Sequence, residues 1–300
     1  MKFLHHLAGL VILSGLLAGP AAAWQRIEAK LQVHNTERVY WLYTPNNFDP
    51  HEPLPLVMIL HGGNSNLMQT IQISKEQDRT DRNQFLAVFP QGTKPRVQAA
   101  QQYTWNAGKC CGYARRKKVD DVAYLRAVVD DIAANYATVD ARRIYAVGIS
   151  NGGMMAYRLY CEASDLFAAI ASISGTLAYE KCKPAKPLPV MHIHGTADRN
   201  VPFEGGEGTE SKADVKHTSV PETMKRIAQL NGCGNTPKIS KFTPRTELRT
   251  YHCRRADLEL VVIPGGEHTW PGSDVMRKYG GDFAASDVVL DFFAAHPKPK

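Results

Sequence analysis

The pentad Gly148-Ile149-Ser150-Asn151-Gly152 constrains this chain more than any other stretch, because its flanks leave it little choice of backbone. The apolar run Ile144-Tyr145-Ala146-Val147 precedes it, and Met154-Met155-Ala156-Tyr157-Arg158-Leu159 follows at helical spacing. A buried strand must therefore reverse into a helix within a few residues. Ser150 at the apex of so sharp a turn sits in strained backbone, and a side chain at Gly148 or Gly152 would collide across the turn. The hydroxyl is pushed out above the sheet. The amide of Asn151 opens the helix without an intrahelical acceptor and is free to bind a developing oxyanion. A serine that merely caps an ordinary strand-to-helix turn is the plainer alternative.

The same strand-and-helix rhythm runs along the whole chain. Arg26–Val33 and Arg38–Thr44 alternate as two antiparallel edge strands, and Leu54–Leu60 is a continuous apolar run, as expected of a strand covered on both faces. A helix is expected between Asn66 and Asn83, then a buried strand at Phe85–Phe89. From Thr93 to Lys118 the chain is polar and irregular, a length that in a compact domain points to a functional loop. Val122, Leu125, Val129, Ile132 and Tyr136 recur at helical spacing behind Asp120 and Asp121, whose carboxylates suit a helix N-terminus. Further strands are expected at Ala168–Ser174, Leu188–Ile193, Thr246–His252 and Leu258–Ile263, with helices over Val220–Leu230, stopped by Asn231-Gly232, and from Ser286 onward. Alternation of this kind predicts an α/β fold with a mostly parallel central sheet and helices on both faces.

Met1-Lys2, the apolar Leu7–Leu17 and the closing Ala21-Ala22-Ala23 have the three parts of a secretory signal peptide. Residues 1–23 are expected to be removed, leaving residues 24–300 as one catalytic domain in a secreted or periplasmic protein with no stable membrane insertion. An uncleaved anchor is the alternative. Six cysteines in an exported chain argue for disulfides. Local pairing would join Cys161 with Cys182 and Cys233 with Cys253, leaving Cys110 and Cys111 as neighbours; a vicinal bond, free thiols and long-range pairs all stay open for those two. No cysteine or histidine spacing suits a metal. The net charge of +7 is spread along the chain, and its densest cluster, Arg115-Arg116-Lys117-Lys118, has no interleaved aromatics, so no nucleic-acid partner is expected.

In a mostly parallel sheet, functional residues gather at the carboxyl ends of strands. Ser150, Asp198, His268 and the segment His61-Gly62-Gly63 each follow a different expected strand. Asp198 competes with Asp214 and Glu267 for the role of acid, and is preferred because it lies just past a buried strand upstream of the histidine. His192 and His194 read as strand residues satisfied in the core. His61 reads as a loop-shaping residue, with the amides around Gly63 and Asn64 as oxyanion donors. The order Ser, Asp, His is that of an α/β-hydrolase.

These residues sit within LHGG at Leu60–Gly63, WNAGKCCG at Trp105–Gly112, VDDVAYLR at Val119–Arg126, GISNGGMMAYRL at Gly148–Leu159, HIHGTADRNVPFEGG at His192–Gly206 and IPGGEHTWPG at Ile263–Gly272. Together they make the chain resemble the secreted polyhydroxybutyrate depolymerase-like esterases, relatives of feruloyl and acetylxylan esterases. The resemblance implies Ser150 as nucleophile, Asp198 as acid and His268 as base; with Gly63, Asn64 and Asn151 as the oxyanion donors argued above, no cofactor is expected. It also suggests Trp105 and Trp270 as cleft walls that stack on a phenolic or sugar ring, packing being the alternative. The expected partner is an ester substrate, polysaccharide-linked or a short hydroxyalkanoate. Enzymes that erode solid polyester add a linker and a binding domain, whereas this chain ends at Pro297-Lys298-Pro299-Lys300 soon after its last helix, so adsorption to solid polymer is not expected. A serine peptidase on a related fold and a non-catalytic carbohydrate-binding protein are the rival readings.

Overall fold

The computed structural model describes residues 24–95, 102–211, 213, 215–234, 236–274 and 280–300. The signal segment 1–23 and Asp214 lie outside the described residues. Among the described residues ten strands form one sheet: β1 (Trp24–Val33), β2 (Thr36–Pro45), β3 (Leu54–Leu60), β4 (Leu86–Pro90), β5 (Val139–Ile149), β6 (Ala169–Ile173), β7 (Val190–Gly195), and, after a two-residue pair β8 (Gly206–Glu207) and β9 (Lys216–His217), β10 (Lys238–Thr243), β11 (Thr246–Tyr251) and β12 (Leu258–Ile263). Their order is β1-β2-β4-β3-β5-β6-β7-β12-β11-β10. The run from β4 to β12 is parallel, and antiparallel strands close both edges.

Strand periodicity divides the core into two layers. Leu56, Met58 and Leu60 of β3 face one side with Ile144 and Ala146 of β5, under helices α4 (Asp121–Asn135), α5 (Asn151–Glu162) and α6 (Val220–Asn231). Val57 and Ile59 face the other side with Tyr145, Val147 and Ile149, under α1 (Leu67–Ser74) and α7 (Ala285–Ala295). The Phe293 ring of α7 stacks on Tyr145 with centroids 4.7 Å apart. Covering on both faces is why the inner strands read as unbroken apolar runs.

Three elements depart from expectation. The helix expected over Asn66–Asn83 is broken: α1 ends at Lys75, whose φ of 51° closes the turn, and a 3₁₀ turn at Glu76–Arg79 leads into the short α2 (Thr80–Asn83). The polar loop after β4 contains α3 (Gly112–Arg116). Strand β10 was not anticipated, because its exposed edge carries Lys238, Ser240 and Lys241 rather than an apolar run. Elsewhere the punctuation behaves as its chemistry requires: Ser219 caps α6 by accepting from the Glu222 amide at 3.1 Å, and Gly232 ends it at φ 68°.

The three local disulfides Cys110–Cys111, Cys161–Cys182 and Cys233–Cys253 are all formed. Of the two aspartates expected to cap α4, Asp120 does so, accepting from the Ala123 amide at 3.0 Å. Asp121 does something else: fully buried, it pairs with Arg38 of β2 at 2.9 Å and accepts from the Asn106 amide at 2.8 Å. Among the described residues no helix is long and apolar enough to cross a membrane.

Candidate active site

Ser150 sits between the end of β5 and the first turn of α5 with φ 58° and ψ −123°, the left-handed side that a non-glycine residue adopts only under constraint. Its amide is held by the Ile173 carbonyl of β6 at 2.8 Å. The two glycines of the pentad are required by contact. A Cβ on Gly148 would lie 2.4 Å from the Gly152 carbonyl carbon, and one on Gly152 would lie 2.3 Å from the Leu60 oxygen of β3. The elbow is thus wedged between two neighbouring strands.

Asp198 follows β7 and His268 follows β12, the strand paired to it. His268 Nδ1 lies 2.7 Å from Asp198 Oδ2, which leaves Nε2 as the free edge of the ring. The other carboxylate oxygen of Asp198 accepts from the Asn200 and Val201 amides at 2.9 and 2.8 Å. Burial by itself would push this carboxyl up, but hydrogen bonds from His194 and His268 hold it well below the usual carboxylate range. Glu267, the rival acid, is turned toward Arg199 at 4.0 Å.

Ser150 and His268 border one cavity of about 440 Å³. Gly63, Asn64 and Asn151 line it as well. Gly63 packs against Asn151, since a Cβ added there would lie 3.4 Å from that of Asn151. Asn64 must be withdrawn as an oxyanion donor, because its amide already donates to the Tyr103 carbonyl at 3.0 Å. The Gly63 and Asn151 amides are the pair that stays in the proposed hole.

His61 shapes this loop. It is fully buried, its Nδ1 lies 2.7 Å from the Gly62 carbonyl, and its Nε2 accepts from the Gly92 amide at 2.9 Å. Those partners require the Nδ1–H tautomer, and burial lowers the ring pKa to about 4, so it stays neutral.

Neither tryptophan walls the cavity. Trp105 is wholly buried, donates from Nε1 to the His61 carbonyl at 2.9 Å and packs against the His61 and Tyr124 rings. The Asn151 side chain clamps its backbone, accepting from the Trp105 amide at 2.7 Å and donating to its carbonyl at 3.1 Å. Trp270 is also buried, with Nε1 donating to Ser286 of α7 at 3.0 Å, which ties the His268 loop to the α1–α7 layer. Each ring found a carbonyl or hydroxyl for its N–H inside the core, where a large aromatic contributes most. The walls are made instead by Tyr113 of α3, Met154, Arg116, Glu210 and His217. Sequence reading passed over Tyr113 and His217, and only the presence of α3 and of a second tight pair, β8–β9, within polar stretches would have flagged them.

Residues 38–203 match the sequence family described as Esterase PHB depolymerase. Feruloyl esterase B of Piromyces equi is 30% identical over 248 residues, covering 80% of this chain and 43% of the relative. The bifunctional acetylxylan esterase/xylanase XynS20E of Neocallimastix patriciarum is 26% identical over 207 residues, covering 66% of this chain and 28% of the relative. The chain therefore spans less than half the length of either. Among solved structures, an acetyl xylan esterase from Aspergillus awamori superposes with a TM-score of 0.64 at 16% identity, over 90% of this chain and 99% of that one, a likeness of fold.

Proposed function

Because the chain belongs to the esterase PHB depolymerase family of α/β-hydrolases, we propose that it is an exported serine carboxylesterase whose nucleophile, base and acid are Ser150, His268 and Asp198. The observation that carries the reading is the 2.7 Å pairing of Asp198 with His268 Nδ1 at the rim of the cavity that Ser150 enters from its strained elbow. Asp198 fixes the tautomer in which His268 Nε2 is unprotonated. That nitrogen takes the Ser150 proton as the hydroxyl oxygen attacks the ester carbonyl carbon. Negative charge develops on the carbonyl oxygen, and the Gly63 and Asn151 amides receive it. Collapse of the tetrahedral species breaks the ester C–O bond, with His268 returning the proton to the departing alcohol. Water then repeats the sequence on the acyl-serine.

The substrates proposed are feruloyl or acetyl esters of plant polysaccharide and short hydroxyalkanoate esters; the names of the relatives support the first group. Export is supported by the three disulfides and by the signal-like residues 1–23. The expected result with a fluorescent fluorophosphonate is one labelled adduct, absent from Ser150→Ala. That variant should melt with the parent and lose turnover by at least about 10³. Turnover within about tenfold of the parent on methyl ferulate, acetylated xylan and hydroxybutyrate oligomers alike would remove Ser150 from its role.

A further inference from the structure

Asp198 is held from behind as well as by His268. His194 of β7 is fully buried, and its Nε2 lies 2.8 Å from the Val201 carbonyl and 3.4 Å from Asp198 Oδ2. Its Nδ1 lies 2.9 Å from Nε2 of His192, two residues back on the same strand. His192 Nδ1 in turn lies 2.7 Å from the hydroxyl of Tyr157 on α5. The planes of the His192 and His194 rings are nearly parallel, 9° apart, and His192 is buried too. Four side chains therefore form one chain of contacts, from the helix that follows the nucleophile to the acid of the triad.

Partner chemistry directs this chain. A carbonyl can only accept, so His194 carries a proton on Nε2, directed at the Val201 carbonyl with Asp198 Oδ2 as its longer neighbour at 3.4 Å. Nδ1 of that ring is then an acceptor, which places the His192 proton on Nε2. His192 Nδ1 is left to accept from the Tyr157 hydroxyl. Burial and the neighbouring His194 hold His192 well below the usual imidazole range, in keeping with a neutral ring. Val201 closes the bracket from both sides: its amide donates to one Asp198 oxygen at 2.8 Å while its carbonyl receives His194.

We infer that His194 is a positioning residue for the acid: its Nε2–H, oriented through His192 by Tyr157, anchors Asp198 to strand β7 and limits how much of the carboxylate charge reaches His268. The inference rests on the Ser150–His268–Asp198 reading above. It explains why two adjacent inward imidazoles occupy positions on β7 where an aliphatic core would serve packing equally well. Without the His194 donor, Asp198 Oδ2 draws the His268 proton more strongly and swings more freely. Among the described residues, His217 of β9 also feels the charges of Asp198, His268 and His194, and Glu267, next to His268, pairs with Arg199 at 4.0 Å.

Two measurements test this. In parent protein carrying ¹⁵N-labelled histidine, long-range proton–nitrogen spectra should show His192 and His194 both as Nε2–H tautomers; an Nδ1–H on either ring overturns the directed chain. For kinetics, His194→Asn keeps an acceptor near the old Nδ1 and loses the donor. We expect kcat to fall on the order of tenfold with KM unchanged and the acid limb of kcat/KM to move to higher pH. His194→Gln, whose amide nitrogen reaches the old Nε2 position, should recover a large part of that loss. In an Asp198→Asn background the His194→Asn change should cost almost nothing further. If Asp198→Asn is inactive while His194→Asn retains parental kcat and acid limb, the positioning role falls and the triad stands. If Asp198→Asn itself keeps near-parental rate, the acid assignment falls and this inference with it.

Discussion

Glu76 is wholly buried near Arg79 and the start of α7, and neither carboxylate oxygen has a well-formed hydrogen bond. Burial pushes its carboxyl up to about 8, against the opposing pull of Arg79 and the Ser286 hydroxyl. In the unfolded chain the same group titrates near 4.5. Between those two values the folded state holds a proton that the unfolded state has released, so folding stability falls as pH rises through that window, by up to about 1.4 kcal/mol per pH unit. Below the unfolded pKa both states are protonated and nothing is lost. Glu76→Gln copies the protonated form, so its melting temperature should exceed the parental one at about pH 8, and the gap should close toward about pH 5. A gap that is constant with pH would mean that Glu76 finds a partner for its charge. The same accounting explains why the single residues of the site were unequally legible. Ser150 was readable because strain and crowding demand small neighbours on either side. For Trp105 and Trp270 the packing alternative holds rather than the cleft-wall role that the resemblance suggests, because their indole N–H groups find acceptors only visible in three dimensions. His194 reads as a satisfied core residue and is one, but that it neighbours the proposed acid Asp198 depends on a turn at Val201 that no spacing rule reveals.

At the scale of elements, the Arg38–Asp121 pair joins the start of β2, the start of α4 and the long loop after β4. Both side chains are buried, and the guanidinium also donates to the Gln91 carbonyl at 3.2 Å and lies over the Tyr124 ring at 3.7 Å. Asp121→Asn would leave that cation buried and uncompensated, and should cost about 3 kcal/mol or more in urea unfolding. The neighbouring cap variant Asp120→Ala should cost about 1 kcal/mol. Equal losses at the two positions would show that Asp121 merely caps α4. Element by element, the inner strands were legible because burial on both faces leaves an unbroken apolar run, as in Leu54–Leu60. The first residues of β5, Val139 to Arg143, and all of β10 were not, because they lie half in solvent and carry polar or charged side chains. Helix α3 escaped notice because a five-residue helix has too few turns to show a period.

Across the whole molecule, Cys161–Cys182 fastens the far end of α5 to the stretch that precedes β7. The 21-residue separation makes its contribution about 3 kcal/mol through restriction of the unfolded chain. Cys161→Ser/Cys182→Ser should lower the urea midpoint accordingly while leaving the elbow, and turnover below the transition, intact; a parental midpoint would mean that the cross-link adds no stability. The order of strands in the sheet has a different consequence. β5 pairs with β3 and β6, both completed before residue 174, whereas β12, which delivers His268, pairs with β7 and is reached only after residue 257. A chain emerging in order from the ribosome or from a translocation pore thus presents Ser150 on a finished turn long before the proposed base, His268, is made. The proposed reaction cannot begin on half-made protein. On the proposed mechanism, hydrolysis becomes a readout of closure, switched on by the late strand that completes the sheet beside β7.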